Sequence, residues 1–87
     1  DYKAATHSYE IVLKDYPDAK EAERARFMII KSNFKLAQNT IELTQKERFE
    51  DVLESYEDFT DRHPKSEFSK EADEIATTSR ERIKRLS

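Results

Sequence analysis

The 87-residue chain contains no glycine and no cysteine, and it has only two prolines. Glycine is the residue that most readily adopts the positive φ angles of hairpin turns and phosphate-binding loops. Without cysteine, the chain can form no disulfide, no cysteine-ligated zinc site and no thiol nucleophile. These absences argue against β-hairpin folds, glycine-rich nucleotide sites and cysteine chemistry.

Long hydrophobic runs and a strong net charge are also missing. The longest apolar run is Phe27-Met28-Ile29-Ile30, whereas a helix that crosses a membrane needs about 20 apolar residues. The formal net charge is −3, which creates no general attraction to nucleic acid. The sequence therefore predicts neither a membrane span within these residues nor a nucleic-acid partner.

What the chain does contain is apolar residues at three- and four-residue spacing, in a background where 40% of residues are charged. This spacing is typical of amphipathic helices, and no stretch alternates as a strand does. We predict an all-α single domain over residues 1–87, with four helices at about residues 2–16, 19–43, 45–62 and 66–86.

Local signals predict where the helices begin and end. Pro17 and Pro64 end the first and third helices, because a residue before proline is driven out of the α region. Thr44-Gln45-Lys46-Glu47 has the form of a capping box and predicts the start of the third helix. Asp18 and Ser66 are the predicted N-caps of the second and fourth helices.

The predicted second helix carries apolar residues around a broad arc, which favours a helix packed between two neighbours. Asn39, near its end, tolerates the left-handed conformation common at helix ends. The residues of the arc are Ala22, Ala25, Met28, Ile29, Ile30, Phe34, Leu36, Ala37, Ile41 and Leu43.

The first and third helices have a common sequence pattern. DYKAATHSYEIVLKDYP corresponds to RFEDVLESYEDFTDRHP, and their prolines, Pro17 and Pro64, are 47 residues apart. The shared pattern, aromatic-x2-small-x3-Tyr-x7-Pro, resembles the second helix of a tetratricopeptide (TPR) repeat. The resemblance implies TPR-like antiparallel helix-turn-helix units, with Tyr9 and Tyr56 as buried equivalents.

The spacing of the repeat departs from that family. A TPR unit takes about 34 residues, so the longer interval leaves about 13 extra, which we place around residues 37–46. The chain would start with the second helix of one unit, continue through a whole unit and end with the first helix of another or a capping helix. We therefore expect these residues to be a fragment of a longer array.

A narrower resemblance covers nearly the whole chain. DYKAATHSYEIVLKDYPDAKEAERARFMIIKSNFKLAQNT and KERFEDVLESYEDFTDRHPKSEFSKEADEI resemble the C-terminal part of the BamD family, and KERFEDVLESY is more similar to its Bacteroidetes-type members. BamD proteins are TPR-built lipoproteins of the machinery that assembles outer-membrane β-barrels. The resemblance implies a scaffold at the periplasmic face of the outer membrane, with a lipid anchor outside these residues. Its implied partners are the barrel-forming subunit and unfolded outer-membrane proteins.

Two groups of like charges at helical spacing are the candidate protein-binding residues. The basic surface comprises Lys20, Arg24, Lys31 and Lys35, with Phe27 among them, and the acidic surface comprises Glu50, Glu54, Glu57 and Asp61. Each like-charged pair costs a helix about 0.2–0.5 kcal/mol. The two groups are therefore either solvated faces that aid solubility or docking surfaces for opposite charge.

The TPR resemblance assigns a direction to each surface. The basic surface would face the groove of the array, where an exposed Phe27 would anchor a client peptide that carries an aromatic side chain and a carboxylate. The acidic surface would face outward.

No catalytic or metal-binding constellation is evident. His7 and His63 are the only histidines. His7 with Glu10 would supply two ligands where a metal site needs three or four. His63 takes the place of Tyr16 in the repeat, which favours a packing role. We expect no enzyme activity and no cofactor.

Two alternatives to the assembly scaffold remain open. One is a different TPR adaptor, such as a co-chaperone or a secretion-system subunit, and the other is a helical support region of a larger enzyme. A lipobox cysteine upstream in the full gene would favour the assembly scaffold, and a catalytic domain elsewhere in it would favour the enzyme.

Overall fold

The computed structural model describes residues 1–18 and 20–87. They form four α-helices: α1 (Tyr2–Asp15), α2 (Lys20–Gln38), α3 (Glu42–Arg62) and α4 (Ser69–Leu86). The described residues contain no strand. The prediction of an all-α chain is therefore confirmed, and the differences lie at the helix ends.

The helices pack in chain order, and α2 has the most neighbours. Each helix packs against the next one, and α2 also contacts α4. The Cα atoms extend over 37 × 26 × 14 Å, and the smallest dimension fits two helices at an interaxial distance of about 8–10 Å. The broad apolar arc of α2 is explained by its three neighbours, one more than the two that the sequence predicts.

Aromatic rings form the core where α2, α3 and α4 meet. Phe49 and Phe59 of α3 are fully buried. Phe27 of α2 stacks on Phe68, with 4.6 Å between the ring centroids, and lies 6.1 Å from Phe59. In contrast, α1 has no fully buried residue, because among the described elements it contacts α2 alone.

The two helix ends that precede proline have the same geometry. Tyr16 has φ −136° and ψ 64°, and His63 has φ −134° and ψ 64°. Each donates its N–H to the carbonyl four residues earlier, with N···O distances of 2.9 Å for Tyr16 and 2.8 Å for His63. Since the two residues are equivalent in the repeat alignment, the chain uses one helix stop twice.

The connection between α2 and α3 differs from the prediction. α2 ends at Gln38 and α3 begins at Glu42, so Thr44 lies inside the first turn of α3 and is not its cap. Ile41 and Leu43 are 68% and 89% exposed. Their assignment to the buried arc was wrong because the second helix ends before it reaches them.

Side-chain amides close the end of α2. The buried Gln45 donates from Nε2 to the carbonyl of Ala37 at 3.1 Å, and Asn39 donates from Nδ2 to the carbonyl of Lys35 at 2.7 Å. No described residue has a positive φ angle. The left-handed conformation expected at Asn39 is therefore absent. Side-chain amides instead donate hydrogen bonds to carbonyls in the last turn of α2, where the backbone N–H groups of a glycine cap commonly do so.

The fourth helix begins later than predicted. α4 starts at Ser69, and the hydroxyl of Ser66 accepts the N–H of Phe68 at 3.1 Å in the preceding turn. Ser66 therefore closes this turn and does not cap the helix itself. The start predicted for the second helix at Ala19, beside the Asp18 cap, lies outside the described residues.

Tyr9 and Tyr56 are half-buried, so the prediction that both are buried was wrong in degree. Tyr9 lies on α1, which has only one neighbour. The hydroxyl of Tyr56 donates to Oδ1 of Asp73 in α4 at 2.5 Å. Its ring packs against the core, while its hydroxyl stays near the surface.

The hydrogen bond between Tyr56 and Asp73 predicts that Tyr56 ionises at a higher pH than the other tyrosines. The hydrogen bond to Asp73, followed by burial, raises the pKa of Tyr56. Because the folded pKa is the higher one, this stabilisation is present below about pH 10 and is lost as pH rises through the folded pKa. In an ultraviolet titration, Tyr56→Phe should remove the last-ionising component. Tyr16→Phe should leave that component in place, and an unchanged curve for Tyr56→Phe would contradict the assignment.

Candidate protein-interaction surfaces

The acidic surface lies on the outward side of α3. Its four carboxylates are exposed, while Phe49, Val52 and Phe59 on the other side of the helix are fully buried. Glu50 and Asp61 are roughly 16 Å apart along the axis, at about 1.5 Å per residue. None of the four forms an ion pair within the described residues. The structure therefore brings together a row of uncompensated negative charges.

Two other carboxylates of α3, those of Asp51 and Asp58, are paired. Asp58 lies 2.9 Å from Nε of Arg62 and 3.9 Å from Nε of Arg26. Asp51 lies 3.9 Å from Nη1 of Arg48. The four residues of the acidic surface differ from these two aspartates in having no ion-pair partner among the residues described here, although Glu54 borders the same groove as both aspartates.

The basic surface is not the open face that the sequence predicts. Phe27 is only 3% exposed, because the ring of Phe68 covers it. Nζ of Lys31 lies 3.2 Å from Oε2 of Glu71 in α4 and 5.5 Å from the Phe27 ring centroid. Phe27 is therefore a core residue, and the assignment of an exposed aromatic anchor at this position was wrong.

The remaining basic residues are divided between two grooves. Lys20 and Arg24 line one together with Phe68 and three glutamates, and Lys35 borders another with Ile75. Helical spacing identifies residues on one face of α2, but it does not reveal that a later segment packs across that face. The half-buried Phe68 is the aromatic side chain that lies beside Lys20 and Arg24.

A partly buried polar cluster around Arg26 joins the ends of α1 and α3. The Arg26 cluster consists of Glu23, Arg26, His63 and Ser66. Arg26 is 7% exposed; its Nη1 lies 2.9 Å from Nε2 of His63, and its Nη2 donates to the carbonyl of Pro17 at 3.3 Å. Because arginine has donors only, this contact is a hydrogen bond when Nε2 of His63 offers its lone pair, as it does in the neutral tautomer with the proton on Nδ1.

Glu23 continues the cluster toward α4. Its Oε1 lies 3.6 Å from Nδ1 of His63, and its Oε2 accepts the hydroxyl of Ser66 at 3.1 Å. Burial, then the nearby Arg62, lowers the pKa of Arg26, against the attraction of Asp58. The described residues contain no buried side-chain polar atom without a hydrogen-bond partner, so no buried polar atom of the cluster is left unpaired.

The sequence contains a signal for this cluster that the interpretation of charges missed. Arg26 lies four residues after Ala22 and four before Ile30, which places a charge in the middle of the apolar arc. A charged residue at such a position is rarely buried without a partner. For His63, the predicted packing role is confirmed, since its ring lies 5.5 Å from that of Phe59.

Neither a cluster of metal ligands nor a membrane-spanning helix is found among residues 1–18 and 20–87. His7 is exposed, and residues 1–18 and 20–87 contain no group of three His, Cys, Asp or Glu side chains placed to hold a metal ion. Within the same residues, no helix combines the length and the apolar character that crossing a membrane requires.

No protein-family model matches this chain, and no curated protein matches it significantly.

Proposed function

We propose that this chain is a non-catalytic protein-interaction scaffold, built from TPR-like helix pairs, of the outer-membrane β-barrel assembly machinery. The observation that carries the proposal is the acidic surface on the outward side of α3. Its like charges weaken their own helix, and they have no ion-pair partner within the described residues. A basic partner would neutralise the acidic surface, which would relieve the repulsion among its carboxylates and speed association.

Two features of the fold support the TPR part of the proposal. The helices pack in succession with an added contact between α2 and α4, so the first helices of two successive pairs meet. The helix stops at Tyr16 and His63 have the same backbone conformation. Repeat proteins are built from such equivalent units, each of which packs on its neighbours.

The assembly machinery enters the proposal through the sequence resemblance to the BamD family. On this basis the partner of the acidic surface is a basic region of the barrel-forming subunit, at the periplasmic face of the outer membrane. Unfolded outer-membrane proteins are the proposed clients of the groove beside Lys20 and Arg24, where Phe68 takes the role first assigned to Phe27. A lipid anchor outside these residues would hold the scaffold at the membrane.

Charge reversal tests the acidic surface. Changing Glu50, Glu54 and Glu57 to lysine should weaken recovery of the assembly complex in a pull-down from cells, while circular dichroism shows unchanged helicity. Binding by the parent protein should also fall as salt is added, because exposed charges are screened beyond about 8 Å at physiological ionic strength.

Three exposed glutamates elsewhere provide a matched control for this experiment. Changing Glu10, Glu74 and Glu81 to lysine alters the net charge equally, but these residues lie outside α3 and outside the groove beside Lys20 and Arg24, so recovery should stay at the parent level. Parent-level recovery with the acidic-surface variant would identify that surface as a solvated face. A charge-sensitive complex that lacks outer-membrane assembly subunits would favour another TPR adaptor.

A further inference from the structure

One guanidinium group connects the ends of two equivalent helices. Arg26 donates to the carbonyl of Pro17, just after α1, and contacts Nε2 of His63, the C-cap of α3. We propose that the contact between Arg26 and His63 is a proton-sensitive connection between these helix ends. It is closed while His63 is neutral and opens when His63 is protonated.

The chemistry of the two side chains makes this contact depend on one proton. Arginine cannot accept a hydrogen bond, so the contact requires the lone pair on Nε2 of His63. Histidine is the side chain that ordinarily gains a proton between about pH 8 and pH 5. Once both ring nitrogens carry hydrogen, two N–H groups and two positive charges face each other where a 2.9 Å hydrogen bond existed. The hydrogen bond cannot survive this change.

The surrounding charges determine how the contact opens. From α2, Glu23 lies 3.6 Å from Nδ1 of His63, on the other side of the ring from Arg26. The remaining charged groups around the two side chains are Asp58 and Arg62 on α3 and Asp18 after α1. The segment before α4 contributes the uncharged hydroxyl of Ser66. A protonated His63 is therefore drawn toward Glu23 and away from Arg26.

Opening of the contact should affect α1 more than the other helices. α1 packs on α2 alone among the described elements and has no fully buried residue. The hydrogen bond from Arg26 to the Pro17 carbonyl holds the end of α1 against α2. Repulsion from a protonated His63 would displace the Arg26 guanidinium and weaken this hydrogen bond. Elements with few buried contacts open first, so a weaker hydrogen bond between Arg26 and Pro17 should appear as faster local opening of α1.

Nuclear magnetic resonance of the intact chain tests both steps. At about pH 8, imidazole nitrogen spectra should show His63 as the neutral Nδ1–H tautomer. At about pH 5, amide exchange in α1 relative to α3, corrected for intrinsic rates, should be about three- to tenfold faster than at pH 8, as expected for loss of one hydrogen bond. His63→Gln keeps an acceptor that cannot be protonated and should abolish this change. His7→Gln, at an exposed position, should preserve it.

Two results would overturn the proposal. One is an Nε2–H tautomer of His63 in the neutral protein, which would leave no acceptor for Arg26. The other is an unchanged ratio of α1 to α3 exchange at the two pH values in the parent chain. Both measurements use the parent protein, so neither depends on whether His63→Gln folds.

Discussion

Truncation of Phe27 to alanine should lower the free energy of unfolding by about 3–5 kcal/mol, the range for buried aromatic residues. The ring is 3% exposed and stacks on Phe68, so its removal leaves a cavity between α2 and the segment before α4. The loss is large beside the roughly 4–13 kcal/mol expected for a domain of this length. Urea denaturation followed by circular dichroism would measure it.

Leu43→Ala is the control for apolar truncation at an exposed position. Leu43 is 89% exposed, so its removal should change stability by no more than about 0.5 kcal/mol. If Phe27 were an exposed peptide anchor, Phe27→Ala would behave like Leu43→Ala in denaturation. Equal midpoints for the two variants would therefore contradict the core assignment.

Replacing Arg26 with methionine should destabilise the chain by about 1–3 kcal/mol. Methionine keeps an apolar stem of similar length, but it leaves the Pro17 carbonyl and Nε2 of His63 without their donor. A fully buried acceptor without its donor costs about 1–3 kcal/mol, and water offsets part of that cost here because Pro17 is exposed and His63 is half-buried. Denaturant titration at neutral pH would measure the change.

Arg24→Met is the matched control, since Arg24 is exposed two residues upstream on the same helix. Its replacement should cost no more than about 0.5 kcal/mol. A similar small effect for Arg26→Met would mean that water replaces the guanidinium at little cost. The Arg26 cluster would then contribute little to stability.

Helix type, number and order could be predicted from the sequence because they depend on local patterns. Apolar spacing revealed all four helices, and a proline after Tyr16 and after His63 marked the two equivalent stops. The turn after α2 could not be predicted in the same way. Gln45, one turn into the next helix, donates to the carbonyl of Ala37, and such a contact exists only after the two helices have packed.

The candidate surfaces show the same division between local and tertiary information. The acidic surface could be predicted from helical spacing alone, because no described element packs on that side of α3. The basic surface was partly misassigned because α4 and Phe68 pack across the middle of it. The Arg26 cluster draws on three separate segments, and only their packing brings Pro17, Arg26 and His63 together.

The order of helix packing has a consequence for folding. Contacts between helices adjacent in sequence dominate, and among the described helices only the pairing of α2 with α4 skips a helix. Topologies of low contact order fold quickly, while contacts that close longer loops form later. Phe27 is synthesised before Phe68, whose ring covers it in the folded protein. The side of α2 that holds Phe27 is enclosed only when the α4 segment packs on it, so this part of the core is completed last.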